Sequence, residues 1–167
     1  VAALCYEDAY QEGDEILLRC DENAYLWLQL EDSFAPALVY FQAGEFRFPI
    51  PFGDKRVCYS QKAFFGTRHL LFARTATAEE IATRRNLAFN PMDHHENTAA
   101  FPHAKANVET RGEAWLAARN AIDGNIASAG HGLYPYESWG INRREDAELT
   151  VYFGRPVRVD QLVVTLR

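Results

Sequence analysis

Short runs in which every second residue is apolar dominate the first half of the chain. Leu26, Leu28 and Leu30 alternate with Tyr25, Trp27 and Gln29, and Phe46, Phe48 and Ile50 alternate with Glu45, Arg47 and Pro49. A two-residue period puts successive side chains on opposite faces of the backbone, so each run predicts a half-buried β-strand with one face towards a core. Ile16 to Cys20, a compact apolar run after Gly13-Asp14, predicts another. Asp21-Glu22-Asn23, Ala43-Gly44, Pro51-Phe52-Gly53-Asp54 and Phe65-Gly66 separate the runs with residues that favour turns or a positive φ. Residues 1–76 are therefore predicted to form a small all-β domain, sandwich or barrel-like.

The period then changes. Thr77-Ala78-Glu79-Glu80 predicts a helix start, because the Thr77 hydroxyl can accept from the backbone at Glu80 while the Glu80 carboxylate reaches back. Residues 77–85 read as a helical linker. Residues 86–106 show little periodicity and contain Asn-Pro and Phe-Pro, which predicts a long connection opening a second unit that spans 86–167. There Leu149, Val151 and Phe153 alternate with Glu148, Thr150 and Tyr152, and the Gly154-Arg155-Pro156 turn leads to two more predicted strands, 157–159 and 162–166. The polar stretch from Asp123 to Gly132 and the Tyr134-Pro135-Tyr136 segment read as loops, the usual carriers of binding sites on sandwich scaffolds.

Composition narrows the function. Of 167 residues 48% are hydrophobic, so the chain folds rather than staying disordered. A net charge of -6 argues against nucleic acid, whose phosphates demand Lys and Arg, and suits a neutral partner better. No apolar run approaches the roughly 18 residues of a membrane span, and no basic region leads into an apolar run at the N-terminus; because the chain opens at Val1, localisation stays open. Cys5, Cys20 and Cys58 lack Cys-x-x-Cys spacing and read as reduced, packed thiols, which leans towards a reducing compartment.

Four ordered signals carry a resemblance: Asn86-Leu87-Ala88, then Asn120-Ala121-Ile122-Asp123-Gly124-Asn125, then Ser138-Trp139, then Leu149 through Val164 with its Phe153-Gly154 strand end. Together they resemble the opening half of galactose-binding-like, discoidin-type (coagulation factor 5/8 C-terminal type) domains. The resemblance covers about half of the chain, residues 82–167. It implies an eight-stranded jelly-roll β-sandwich that binds carbohydrate. Two departures stand out. The segment between Asn125 and Trp139 is longer than the family's, and Arg167 falls inside what the family makes a central strand. The jelly roll is thus expected to be incomplete here, its distal strands belonging to the remainder of a longer protein or to a second polypeptide.

The resemblance also implies a structural Ca²⁺ at the Asp-Gly-Asn turn. Oxygen chemistry agrees, since Ca²⁺ takes about six to eight oxygens and Asp123, Asn125 and Ser128 can supply several; the alternative is a turn whose side chains bond their own backbone. Sugar recognition needs an aromatic face and fixed donors, for which His131, Tyr134, Tyr136 and Glu137 in the long loop, with Asn142, Arg143 and Arg144 after Trp139, are the candidates. Trp139, Trp115 and Trp27 read as core. Asp93-His94-His95-Glu96 with His103 has ligand types for Zn²⁺ but not the spacing, and reads as a solvated loop. Arg84-Arg85 and Arg143-Arg144 read as solvated or ion-paired. No nucleophile elbow, phosphate loop or metalloprotease helix is present, so the chain reads as a non-catalytic carbohydrate-binding protein. A protein-interaction module and an accessory domain of a glycan-active enzyme are the alternatives.

Overall fold

The alternating runs pair as antiparallel strands in a computed structural model that describes residues 1–96 and 98–167. Strand β1 (Ala2–Tyr6) forms the edge of a five-stranded sheet. β2 (Glu15–Cys20), β3 (Ala24–Gln29), β4 (Ala37–Phe41), β5 (Gly44–Pro49) and β6 (His69–Thr75) follow. The short β7 (Ala100–Phe101) completes the order β1-β6-β3-β4-β7, and β2 and β5 form a separate ribbon. Phe46 and Phe48 of the ribbon meet Leu26, Leu28, Val39 and Phe41 in one buried cluster, as their alternation predicted. The protein is mainly β.

Helix α1 (Ala78–Ala82) begins with the predicted capping box: Glu80 N donates to Thr77 Oγ1, and Thr77 N donates to the Glu80 carboxylate. That carboxylate also takes a bidentate pair from Arg74, which holds its pKa down to about 2. The helix ends at Ala82, short of the predicted Arg85.

Residues 86–167 do not stand apart from the first sheet. β7 pairs with β4 through Phe41 opposite Ala100, and Gln42 Nε2 donates to Gly154 O at 2.9 Å. Strand β8 (His103–Ala106) pairs with β9 (Leu149–Tyr152), and a small cluster of Ala104, Ala118 and Ile122 packs beneath them with Trp139 and Val151. Three short 3-10 turns between residues 110 and 121 carry the chain to the Asp-Gly-Asn turn. Among the described residues no helix is long and apolar enough to cross a membrane.

Several expectations change. The predicted strands at 157–159 and 162–166 do not form. No backbone hydrogen bond among the described residues joins 157–167 to another segment, and Leu162 is 84% exposed. A strand needs a neighbour for its N–H and C=O groups, and none lies alongside. Side chains tether the segment instead: Arg84 to Asp160 and Gln161, and Arg167 to Asn125 O. Cys5 is exposed rather than packed, while Cys58 is buried; all three thiols are free. Trp27, Trp115 and Trp139 are half-buried rather than fully interior.

The Gly-Arg-Pro turn has a specific task. The Arg155 guanidinium lies 4.7 Å from the Tyr25 ring centroid and 4.8 Å from that of Tyr40, and Arg155 Nε donates to Tyr25 Oη at 2.8 Å. Two partly desolvated cation–π contacts and one hydrogen bond are together worth about 2 kcal/mol. Replacement Arg155→Met is therefore expected to lower unfolding free energy by about that amount, measured by urea denaturation followed through tryptophan fluorescence.

Candidate functional site

The loops that carry most of the chemistry rest on one buried cation. Arg119 stands in the last 3-10 turn, 6% exposed. Its Nε donates to Asp93 O, Nη2 to Pro91 O, and Nη1 to Asn120 Oδ1. The guanidinium lies 4.6 Å from the Tyr59 ring centroid and 3.6 Å from Asp123 Oδ2. Burial alone would lower its pKa, but Tyr59, Cys58, Asp123 and Asp93 outweigh that and raise it. The same burial pushes the Tyr59 hydroxyl up to about 12. Asn120 passes the constraint on, donating from Nδ2 to Ala114 O and Ser138 O.

Asp123 caps its own turn: Asn125 N donates to Asp123 Oδ1 at 2.8 Å. Gly124 is required twice over. Its φ is +91°, and a Cβ there would stand 2.5 Å from Phe89 Cε2. Asn125 Nδ2 donates to Glu137 Oε1. Glu137 is 0% exposed, so the residue predicted to face a sugar is interior and acts as a brace. Its Oε2 and Asp123 Oδ2 are buried with no hydrogen-bond partner among the described residues, and the two carboxyls are close enough to act on one another's charge. Two buried carboxyls in contact cannot both ionise cheaply. Burial first, and Glu137 after it, push Asp123 up to about 7 against the lowering pull of Arg119 and the Asn125 amide.

The three side chains predicted to ligate Ca²⁺ do not fit that role as arranged. Asp123 Oδ1 is spent on the turn and Oδ2 faces a guanidinium, the Asn125 amide is turned to Glu137, and Ser128 is exposed with no hydrogen bond to either among the described residues. The cation against this turn is Arg119. Among the described residues no three His, Cys, Asp or Glu side chains are placed to hold a metal ion.

The 130–136 loop closes on itself over this base. Gly132 N donates to Tyr136 O and Tyr136 N to Leu133 O, and the Tyr136 ring covers Gly130 so closely that a Cβ there would meet it at 2.8 Å. Tyr134 N donates to Val57 O at 3.0 Å, tying the loop to the first unit. Outward it presents Leu133, Tyr134 (39% exposed) and His131, whose ring stands edge-on to Trp115 at 5.8 Å. Asn142, Arg143 and Arg144 sit on a neighbouring turn with its own anchors. Asn142 N donates to Thr110 Oγ1, and Arg144 pairs with Asp146 and Arg144 Nη1 donates to Asn107 O. Asn142 and Arg143 have φ of +50° and +59°, a strained pair that displays Arg143 to solvent. No hydrogen bond or ring contact among the described residues joins this turn to the 130–136 loop.

The Asp93 to His103 cluster is corrected most. Asp93, His94 and His103 are buried rather than solvated. Asp93 accepts from His103 Nδ1 at 2.6 Å and from Ala104 N at 2.8 Å, which fixes the start of β8. His95 and Glu96 are exposed, and His95 pairs with Glu109. Arg119 went unnoticed in the sequence, although its i,i+4 spacing from Asp123 was a usable sign. Comparison with protein-family models, curated proteins and solved structures finds no match to this chain.

An acid whose folded pKa lies above its unfolded value of 3.8 stabilises the fold while it keeps its proton. That contribution is complete below about pH 4 and is lost as pH rises through about 7. Unfolding free energy is expected to fall across this window by up to about 1.4 kcal/mol per pH unit, with the melting temperature falling in step. Asp123→Asn should flatten the slope, and Glu137→Gln should move it to lower pH. An identical profile in wild type and Asp123→Asn would refute the assignment.

Proposed function

We propose that the chain is a non-catalytic carbohydrate-binding protein, and that residues 86–167 are the opening half of a galactose-binding-like, discoidin-type jelly roll. The observation that carries the reading is the division of labour in the long loop. A buried brace of Asp123, Asn125 and Glu137 lies beneath an outward aromatic and donor surface of Tyr134 and His131. Sugar binding rewards this arrangement, because a fixed flat ring meets the apolar face of a pyranose without ordering cost and nearby donors take its hydroxyls. In this reading Tyr134 stacks, His131 donates, and Asn142, Arg143 and Arg144 extend the surface along the next turn. Tyr136 and Glu137 support the loop from within.

Titration against a panel of oligosaccharides by calorimetry is the test. Tyr134→Ala is expected to weaken binding about 10-fold, the loss of roughly 1.4 kcal/mol of stacking, with an unchanged melting temperature. Tyr136→Ala should weaken binding and lower the melting temperature together, because it uncovers Gly130. Failure of every oligosaccharide to bind the wild-type protein would overturn the reading.

One observation favours a second role, a protein-interaction module. Residues 157–166 run with Leu162, Val163 and Val164 exposed and without backbone partners, an unpaired edge able to accept a strand from another polypeptide that completes the sheet. Light scattering of the wild type and a Val163→Lys variant separates the cases. Association that the substitution abolishes supports a completing strand, and a monodisperse monomer in both removes it.

A further inference from the structure

The chain carries a second outward aromatic that the loop reading leaves unused. Phe65 is 74% exposed, although its neighbour Phe64 is buried in the first core against Phe48, Tyr59 and Phe34. Phe64 has φ +57°, a left-handed conformation that a bulky L residue adopts only under strain. Gly66 follows at φ +96°. The chain therefore sustains strain at Phe64 and turns Phe65 out into water, where an apolar ring gains nothing unless something covers it.

The surroundings of that ring are basic. Between Gly53 and Arg68 the sequence has Lys55, Arg56, Lys62 and Arg68 against Asp54 alone, in a protein of net charge -6. Among the described residues no carboxylate forms an ion pair with Lys55, Arg56 or Lys62. Arg56 is held in place, its Nη2 donating to Gln61 O and Ala63 O and its Cζ lying 5.8 Å from the Phe65 ring centroid. No bond among the described residues uses its Nε or Nη1. The next residue, Val57, is the one whose carbonyl accepts from Tyr134 N, so this loop adjoins the aromatic loop described above.

We propose that the 53–68 loop is a second contact surface of the same binding face and that the glycan it takes is acidic. Phe65 supplies the flat apolar face for one sugar ring, and Arg56 supplies unspent N–H donors for a carboxylate or sulfate on it. Lys55 and Lys62 add attraction to the anion. This rests on the carbohydrate-binding reading and names the class of sugar. A guanidinium anchored beside the ring favours a flat, oriented ligand over a lipid surface, which would reward a ring free to insert.

The experiment measures binding of galacturonic acid oligomers, a sulfated galactose disaccharide and neutral galacto-oligosaccharides, with phosphatidylserine vesicles as the competing surface. Phe65→Ala and the exposed double variant Lys55→Gln/Lys62→Gln are chosen because neither side chain set is in the core; Arg56→Lys accompanies them because full removal would release two carbonyls. The acidic sugars are expected to bind more tightly than neutral ones, and to lose about 10-fold in affinity with Phe65→Ala and with Arg56→Lys. Their affinity should fall with added salt. The carboxylated and sulfated probes show which anion is taken. Neutral sugars that bind in a Tyr134-dependent way, with no response to Phe65 or Arg56, would overturn this inference and leave the carbohydrate reading standing. Phe65-dependent binding to vesicles alone would overturn it in favour of a membrane surface. Acidic sugars that need Phe65 and not Tyr134 would overturn the shared face and place a separate acidic-sugar site on the 53–68 loop.

Discussion

A single buried positive charge organises the second half of this protein. Removing a guanidinium from water costs several kcal/mol, and the cost is offset only where hydrogen-bond acceptors and anions lie close. Arg119 has two main-chain carbonyls, one amide oxygen, a tyrosine face and the carboxyl of Asp123 around it. These partners come from three separate stretches of the chain. The cation thereby fixes the path of the chain at residues 90–93, at 119–123 and at Tyr59 together. Without it, Asp123 would be buried with no cation close by.

From that centre the candidate site is built outward in two layers with different physics. The inner layer is polar and largely shielded from solvent: Asn120, Asp123, Asn125 and Glu137 exchange hydrogen bonds with backbone and with one another. Its low-dielectric setting strengthens each bond and keeps the proton on Asp123 to a higher pH than water would. The outer layer spends little on internal bonding and leaves rings and donors facing water. Rigidity below and availability above let the outer surface meet a ligand with little ordering cost.

How much of this could be read from residues alone follows the range of the forces involved. Leu26, Leu28, Phe46 and Phe48 could be placed because a strand's two-residue period is local, and Thr77 with Glu80 because a capping box spans one helical turn. The Asp123 to Asn125 turn was legible for the same reason. Val157 to Leu166 misled, since an apolar run states that a strand would be favourable and not that a neighbour exists to bond it. Asp93, His103 and Glu137 were misplaced because a polar side chain is buried only when distant segments bring it partners. Neither the His103 ring nor the amide of Ala104 announces in sequence that it will meet Asp93. Phe65 was hidden within an ordinary turn signal, and only the backbone strain at Phe64 singles it out.

The cation held between Tyr25 and Tyr40 has a kinetic consequence. The hydrogen bond from Arg155 to Tyr25 closes a separation of 130 residues, by far longer than the strand pairings inside the first sheet. Its loop-closure entropy must be met before the contact contributes anything, so it belongs to the final stage of assembly, after both aromatic rings are in position on β3 and β4. By the same logic its loss falls mainly on the unfolding rate, as one of several ties, with the β4–β7 pairing and the Gln42–Gly154 bond, between residues 86–167 and the first sheet.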